Sequence, residues 1–231
     1  MAVHNLGLIG SLTSAVFGPP DPEGFDARTA PIETLRTGLP RGTLSPWAVT
    51  CLFTAGILRR GGRTGMGVPP YRTQWHDEPQ RARVLALSDT ELAFEGVRRE
   101  LAPDAPSRLS CLFLAEDNDE GRHGLAQMFQ HRRIVRVVLT HCLRSFRSDP
   151  LFRDEHLATV NPPGDLTRSY WSGTPHPQHR MWEWLLDGQV ALHPGEDRQA
   201  LSAFAAEQIA AYRAWQDSQR LDAPGATQGS V

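Results

Sequence analysis

Lysine does not occur in this 231-residue chain; all 24 basic residues are arginine. A coding bias that also supplies the many alanines, glycines and prolines accounts for this. The competing account is a protein acting inside a eukaryotic host, where a lysine-free surface offers ubiquitin no attachment point. Cysteine is scarce too: Cys51, Cys111 and Cys142 are odd in number, far apart and without a C-x-x-C pair. That excludes a disulfide frame or cysteine zinc cage and leaves core thiols in a reducing compartment. Charge of one sign is also lacking, since the net charge is −2 and the pI about 6.5. No global field therefore draws the molecule to nucleic acid or to an acidic membrane. The longest apolar runs, Leu6 to Val16 and Ala48 to Leu58, are too short to span a bilayer. Only His4 precedes the first run as a basic flank, so a secretory signal is not expected. These absences predict a cytoplasmic protein, with delivery into a target or host cell as an extension. No internal repeat is present. What the chain does have is 40% hydrophobic content, enough to bury a core without disulfides or metals.

Residues 1–44 are rich in Pro and Gly and read as an irregular leader. Residues 45–70 form a helix and a loop that pack on the core of the domain C-terminal to them. Ser45 is the N-cap, Pro46 the first helical residue, and Trp47, Cys51, Leu52, Ala55 and Leu58 share a face, with Arg59, Arg60 and Gly61 ending it. Residues 71–220 are the catalytic domain and 221–231 a disordered tail. Within the domain, Ser88 and Glu91 read as a capping box for a helix to about Leu101, and Leu109 to Ala115 as a strand. Asp117 and Glu120 cap a helix to about Gln130, and Ile134 to Leu139 is another strand. Phe146 to Pro177 reads as irregular. Trp182 to Leu186 and Gln189 to His193 flank a tight turn at Asp187-Gly188. Leu201, Phe204, Ala205, Ile209, Tyr212 and Trp215 line one face of a final helix over about 196–219. Short strands with helices between the early ones predict an α+β fold.

Three segments carry a family resemblance. Pro70-Tyr71-Arg72-Thr73 resembles the first core strand of the ADP-ribosyltransferase superfamily. Ser107-Arg108-Leu109-Ser110-Cys111-Leu112-Phe113-Leu114 resembles its serine-bearing second strand. Trp182-Glu183-Trp184-Leu185-Leu186-Asp187-Gly188-Gln189-Val190 is similar to the last motif, in which a catalytic Glu opens a strand. Tyr170-Trp171-Ser172-Gly173 looks like a bacterial, toxin- or effector-like branch. The resemblance implies a split β-sheet core with flanking helices and transfer of ADP-ribose from NAD to a macromolecular acceptor, protein or nucleic acid. It also implies Glu183, Arg72 and Ser110 as catalytic residues, and Arg72, Ser110, Tyr170, Trp171 and Phe113 around NAD. No metal is called for and no membrane partner; a toxin of this kind would have a cognate antitoxin or immunity protein.

The chemistry stands apart from the name. Breaking the nicotinamide glycosidic bond leaves an oxocarbenium-like ribose, which a nearby carboxylate stabilises. Glu183 supplies it, Arg72 offers a fork for phosphate or ribose oxygens, and Ser110 a hydroxyl to orient sugar or carboxylate. Tyr170, Trp171 and Phe113 offer rings that stack on nicotinamide. Read from the residues alone, Arg72 also suits a solvent-facing surface, Ser110 an ordinary strand position, Phe113 the core, and Glu183 a solvated strand edge. Met181 stands where arginine-modifying relatives carry a second Glu, so the acceptor would be selected elsewhere, by the Ser172 to Arg180 loop. Arg132, Arg133, Arg136, Arg144 and Arg147, with two histidines and no acid between them, form a local basic stretch that nucleic acid would meet. His176, His179 and Glu183 spell H-x-x-H-x-x-x-E, but Pro177 denies the histidines one helical face and argues against a metal hydrolase. An NAD glycohydrolase and a non-catalytic NAD- or nucleic-acid-binding module of the same fold remain as alternatives.

Overall fold

The computed structural model describes residues 11–18, 24–38, 43–68, 72–128, 134–159 and 162–195, with 199, 201–203, 206, 207, 209, 210, 213 and 214. Helices and a small antiparallel sheet share the chain, as the α+β patterning predicts. No helix among the described residues is long and apolar enough to cross a membrane.

One strand organises the sheet. β6 (Glu183–Leu192) pairs antiparallel along its whole length with β5 (Val137–Ser148). On its other side two short strands share it end to end. β4 (Leu112–Ala115) covers Leu186 to Glu183, and β1 (Ser11–Thr13) covers Ala191 to Gln189. Asp187-Gly188, expected as a hairpin turn, therefore lies in mid-strand. The dipeptide answers a tertiary demand: a Cβ at Gly188 would lie 2.2 Å from the His141 carbonyl oxygen, where β5 is irregular between Leu139 and His141. Gly188 N donates to Ser14 Oγ at 3.0 Å and Gly188 O accepts from Ser14 N at 2.9 Å, which bridges the handover from β4 to β1. A two-stranded sheet, β2 (Gly65–Val68) with β3 (Arg72–Trp75), stands apart.

The leader is part of this body. It supplies β1 and a short helix, α1 (Ile32–Arg36), and Ala27, Leu35 and Leu44 share a core cluster with Ala48, Leu52, Leu92 and Leu109. Each leucine so buried adds roughly 1.5–3 kcal/mol, enough for a proline-rich stretch to fold against its neighbours. Helix α2 (Pro46–Arg59) starts as its sequence predicts, with Ser45 Oγ accepting from Ala48 N at 3.2 Å. Trp47, however, is exposed while Cys51, Leu52, Ala55 and Leu58 are buried. Helix α3 (Glu78–Leu101) begins ten residues before the expected start, at a capping box of Asp77 and Gln80. Ser88 and Glu91 lie inside it, fully buried.

Helix α4 (Asp119–Met128) is capped by Asn118, whose Oδ1 accepts from Gly121 N at 2.7 Å, and Asp117 pairs instead with Arg122 and Arg136. Residues 129–133, with the expected end of this helix, lie outside the described ones. The stretch expected to be irregular holds the end of β5 and two helices, α5 (Pro150–Ala158) and α6 (Gly164–Trp171). Asp149 starts α5 by accepting from Leu151 N at 3.0 Å, with Pro150 at its first turn. Successive β6 residues face opposite sides. Leu185 packs on Phe94 of α3, Phe152 of α5, and Leu166, Tyr170 and Trp171 of α6. Leu192 meets Leu201 together with Leu12, Val135 and Val137. Leu201 belongs to the final helix, whose described residues are helical; Phe204, Ala205, Tyr212 and Trp215 lie outside the described ones.

Candidate functional site

Glu183 opens β6 in the middle of the sheet, opposite Ala115 on one side and Ser148 on the other. Its side chain is 12% exposed. Oε1 accepts two hydrogen bonds, from Arg108 Nη1 at 2.5 Å and from Tyr170 Oη at 2.6 Å. Oε2 has no partner among the described residues. The carboxylate is thus anchored through one oxygen and offers the other.

Both anchors are fixed from behind. Arg108 is buried, and its guanidinium forks onto Glu91, with Nε to Oε2 at 2.9 Å and Nη2 to Oε1 at 3.3 Å; Nη1 also donates to Tyr170 Oη. Arg153 Nε reaches the same carboxylate at 3.0 Å from α5. Burial pushes the Glu91 carboxyl up, but Arg108 and Arg153 outweigh it and hold it below the usual range. Burial alone would lower the Arg108 pKa; Glu183 and Glu91 together raise it well above normal. A buried guanidinium costs several kcal/mol unless paired, so Arg108 is held between its two carboxylates. Tyr170 lies at the end of α6, wholly buried, and Ser148 Oγ donates to its carbonyl at 3.1 Å. Burial, the first cause, raises the phenol pKa well above 10.0, so the hydroxyl remains a donor.

The other expected site residues fall at different distances from this centre. Phe113 is 37% exposed, with the Arg108 guanidinium 4.8 Å from its ring centroid and the exposed Trp47 edge-on at 6.3 Å. It is therefore a rim residue and not the core residue its apolar run suggests. Trp171 is buried, donates Nε1–H to the Phe94 carbonyl at 2.8 Å and packs edge-on against Tyr170. Ser110 sits in a turn ahead of β4, buried, with Oγ donating to Ser107 O at 3.4 Å. The hydroxyl that orients Glu183 is Tyr170's. Arg72 begins β3, paired through its backbone position with Val68 in the separate sheet; its side chain and Tyr71 lie outside the described residues.

Arg108, Glu91 and Arg153 were not assigned to the site from the sequence, where Glu91 read as half of a capping box, although two signals existed. Arg108 is a lone charge in the quoted motif beside Leu109, and Glu91 and Glu95 stand one turn apart on the helix face that carries Leu92 and Phe94. Two charges of the basic stretch are paired in space, Arg136 with Asp117 at 2.8 Å and Arg144 with Asp187 at 2.8 Å, while Arg147 stacks on Trp182 at 4.2 Å. Arg132 and Arg133 lie outside the described residues. His179 Nδ1 contacts Asp149 at 2.5 Å and His176 Nε2 contacts Glu155 at 2.8 Å, and neither reaches Glu183. No group of three metal-ligating side chains occurs among the described residues. Met181 is buried on α4, where a Cβ at Gly124 would lie 2.1 Å from its sulfur. A surface depression of about 590 Å³ flanks this contact, lined by Asp119, Glu120, His123, Gly124, Gln127 and Arg180.

A family model described as a protein of unknown function, DUF2441, matches residues 84–198. That span holds Glu91, Arg108, Arg153, Tyr170 and Glu183, and leaves out Trp47 and Arg72. No curated protein matches the chain.

Proposed function

We propose that the protein cleaves the nicotinamide glycosidic bond of NAD and transfers ADP-ribose to a macromolecular acceptor, with Glu183 facing the ribosyl cation. The observation that carries this reading is the asymmetry of Glu183, one oxygen held by Arg108 and Tyr170 and the other open. A carboxylate fixed in advance stabilises developing positive charge without reorganising during the reaction. As the C–N bond breaks, nicotinamide leaves with the bonding pair and C1′ of the ribose becomes electron-poor. Glu183 Oε2 lies free to hold a ribose hydroxyl and oppose that charge. The acceptor's nucleophile then bonds to C1′ and gives up its proton to solvent. The exposed ring of Phe113 offers a surface beside the carboxylate for the planar leaving group. As a toxin, effector or defence factor, such a transferase would be held in check by an antitoxin or immunity protein.

The test is incubation of wild type and Glu183→Gln with adenylate-labelled NAD and a cell lysate, with retained label and free nicotinamide then counted. Glu183-dependent label supports transfer, and nicotinamide release without label supports NAD hydrolysis. Equal activity in a stable Glu183→Gln protein would overturn the reading.

A further inference from the structure

Residues 34–76 hold six arginines, Arg36, Arg41, Arg59, Arg60, Arg63 and Arg72, and no aspartate or glutamate; with −2 overall, the rest of the chain carries −8. This segment comprises α2 and the β2–β3 sheet. Arg36 and Arg59 are spent on Asp89. Arg60 and Arg63 meet no acid among the described residues: Arg60 Nη1 donates to the Thr37 carbonyl at 2.5 Å, and Arg63 lies over Trp75 at 4.8 Å.

Exposed rings stand on both parts of this segment, the helix and the sheet. Trp47, Thr50 and Phe53 succeed one another at i, i+3 and i+6 along α2, so they share its solvent face, with Trp47 39% and Phe53 44% exposed. Trp75 is 51% exposed. The N-terminal end of α2 leads to the candidate site, since Trp47 abuts Phe113, the Arg108 guanidinium lies over Phe113, and Arg108 binds Glu183. At 1.5 Å per residue the 14-residue α2 is about 21 Å long.

We propose that this face of α2 and the β2–β3 sheet binds single-stranded nucleic acid and presents it at Glu183. Rings that stack on unpaired bases, interleaved with unpaired guanidiniums that track phosphates, are what a single strand requires. A duplex keeps its bases stacked within and has no use for the rings. An acid-free segment in an otherwise acidic chain concentrates the phosphate contacts here. The inference rests on the proposed transfer only for its second half, that the bound strand is the acceptor.

The test uses the full chain and a fluorescent twelve-nucleotide strand, as RNA and as DNA, with anisotropy read at low and moderate salt. Wild type should bind the single strand and bind the matching duplex more weakly. Phe53→Ala and Trp75→Ala should each weaken binding roughly tenfold, and Arg60→Gln with Arg63→Gln should flatten the salt dependence. Circular dichroism controls for folding, since all four side chains are exposed. Binding that ignores these substitutions, or no binding at low salt, overturns the inference. NAD consumption does not enter this assay. Strand binding without NAD cleavage would sink the transferase reading alone, and NAD-derived label on protein without strand binding would sink this one alone.

Discussion

Helix α3 buries two glutamates one turn apart, and their surroundings diverge. Glu95 is saturated by Arg98 (3.0 and 2.9 Å), Arg99 (2.9 Å) and Ser107 (2.7 Å). The two arginines spend their remaining donors on the carbonyls of Pro103, Ala105, Ala30 and Ala27. This closed cluster pins the leader and the turn after α3 to the helix. Glu91 is ringed by arginines as well, but Arg108 continues past it to Glu183, whose second oxygen is unpartnered among the described residues. The same pairing serves architecture where every donor ends on backbone and a site where the chain of contacts ends at solvent.

Breaking the closed cluster should cost most. Glu95→Gln leaves Arg98 buried and short of its charge partner, and unfolding in urea should show a loss of about 3–5 kcal/mol; a loss below about 1 kcal/mol would erase the contrast. At the open cluster the effect should fall on activity. Glu183→Gln should slow nicotinamide release about a hundredfold, roughly 3 kcal/mol of transition-state stabilisation, with unfolding nearly unchanged. Tyr170→Phe keeps the ring and removes one anchor, so turnover should drop on the order of tenfold with KM unchanged.

Acid titration separates two other buried carboxylates. Glu91 is held below its ordinary 4.5, so its contribution to stability is full above that pH and is lost as pH falls through the lowered value. Burial raises Asp187 above its ordinary 3.8 despite Arg144, and its Oδ1 has no hydrogen-bond partner among the described residues. Its folded state holds the proton more firmly, so its contribution is full below 3.8 and is lost as pH rises through the raised value. Asp187→Asn should therefore gain stability relative to wild type as pH rises from about 4, measured by urea midpoints across pH; a constant difference would refute it. The smallest effect belongs to the surface: Arg136→Gln, losing a half-exposed pair with Asp117, should shift stability by no more than about 0.5 kcal/mol.

Local signals were legible where the interaction is local. Ser45-Pro46 marked the start of α2, and Glu183 the opening of a strand. Signals were misread where a distant partner decided. Asp187-Gly188 has the composition of a turn, yet β5 and Ser14 approach it from both sides and keep it extended. Ser88 and Glu91 have the spacing of a capping box, but Asp77 and Gln80 start the helix earlier and Glu91 is claimed by Arg108 and Arg153. Ser110 matched a motif, while the hydroxyl beside Glu183 arrives on α6, thirteen residues before the strand in sequence.

By itself the sequence determined the α+β class, the helix that starts at Ser45-Pro46 and the acid-free segment, because hydrophobic period, capping and composition are properties of neighbouring residues. Only the tertiary structure decided which charges are spent and which are open. Arg136, Arg144 and Arg108 look alike in the chain. Asp117, Asp187 and the Glu91–Glu183 pair differ in depth and reach: burial makes an unmatched charge costly enough to fix Arg108 between its carboxylates, while the half-exposed Arg136 is held by Asp117 only weakly.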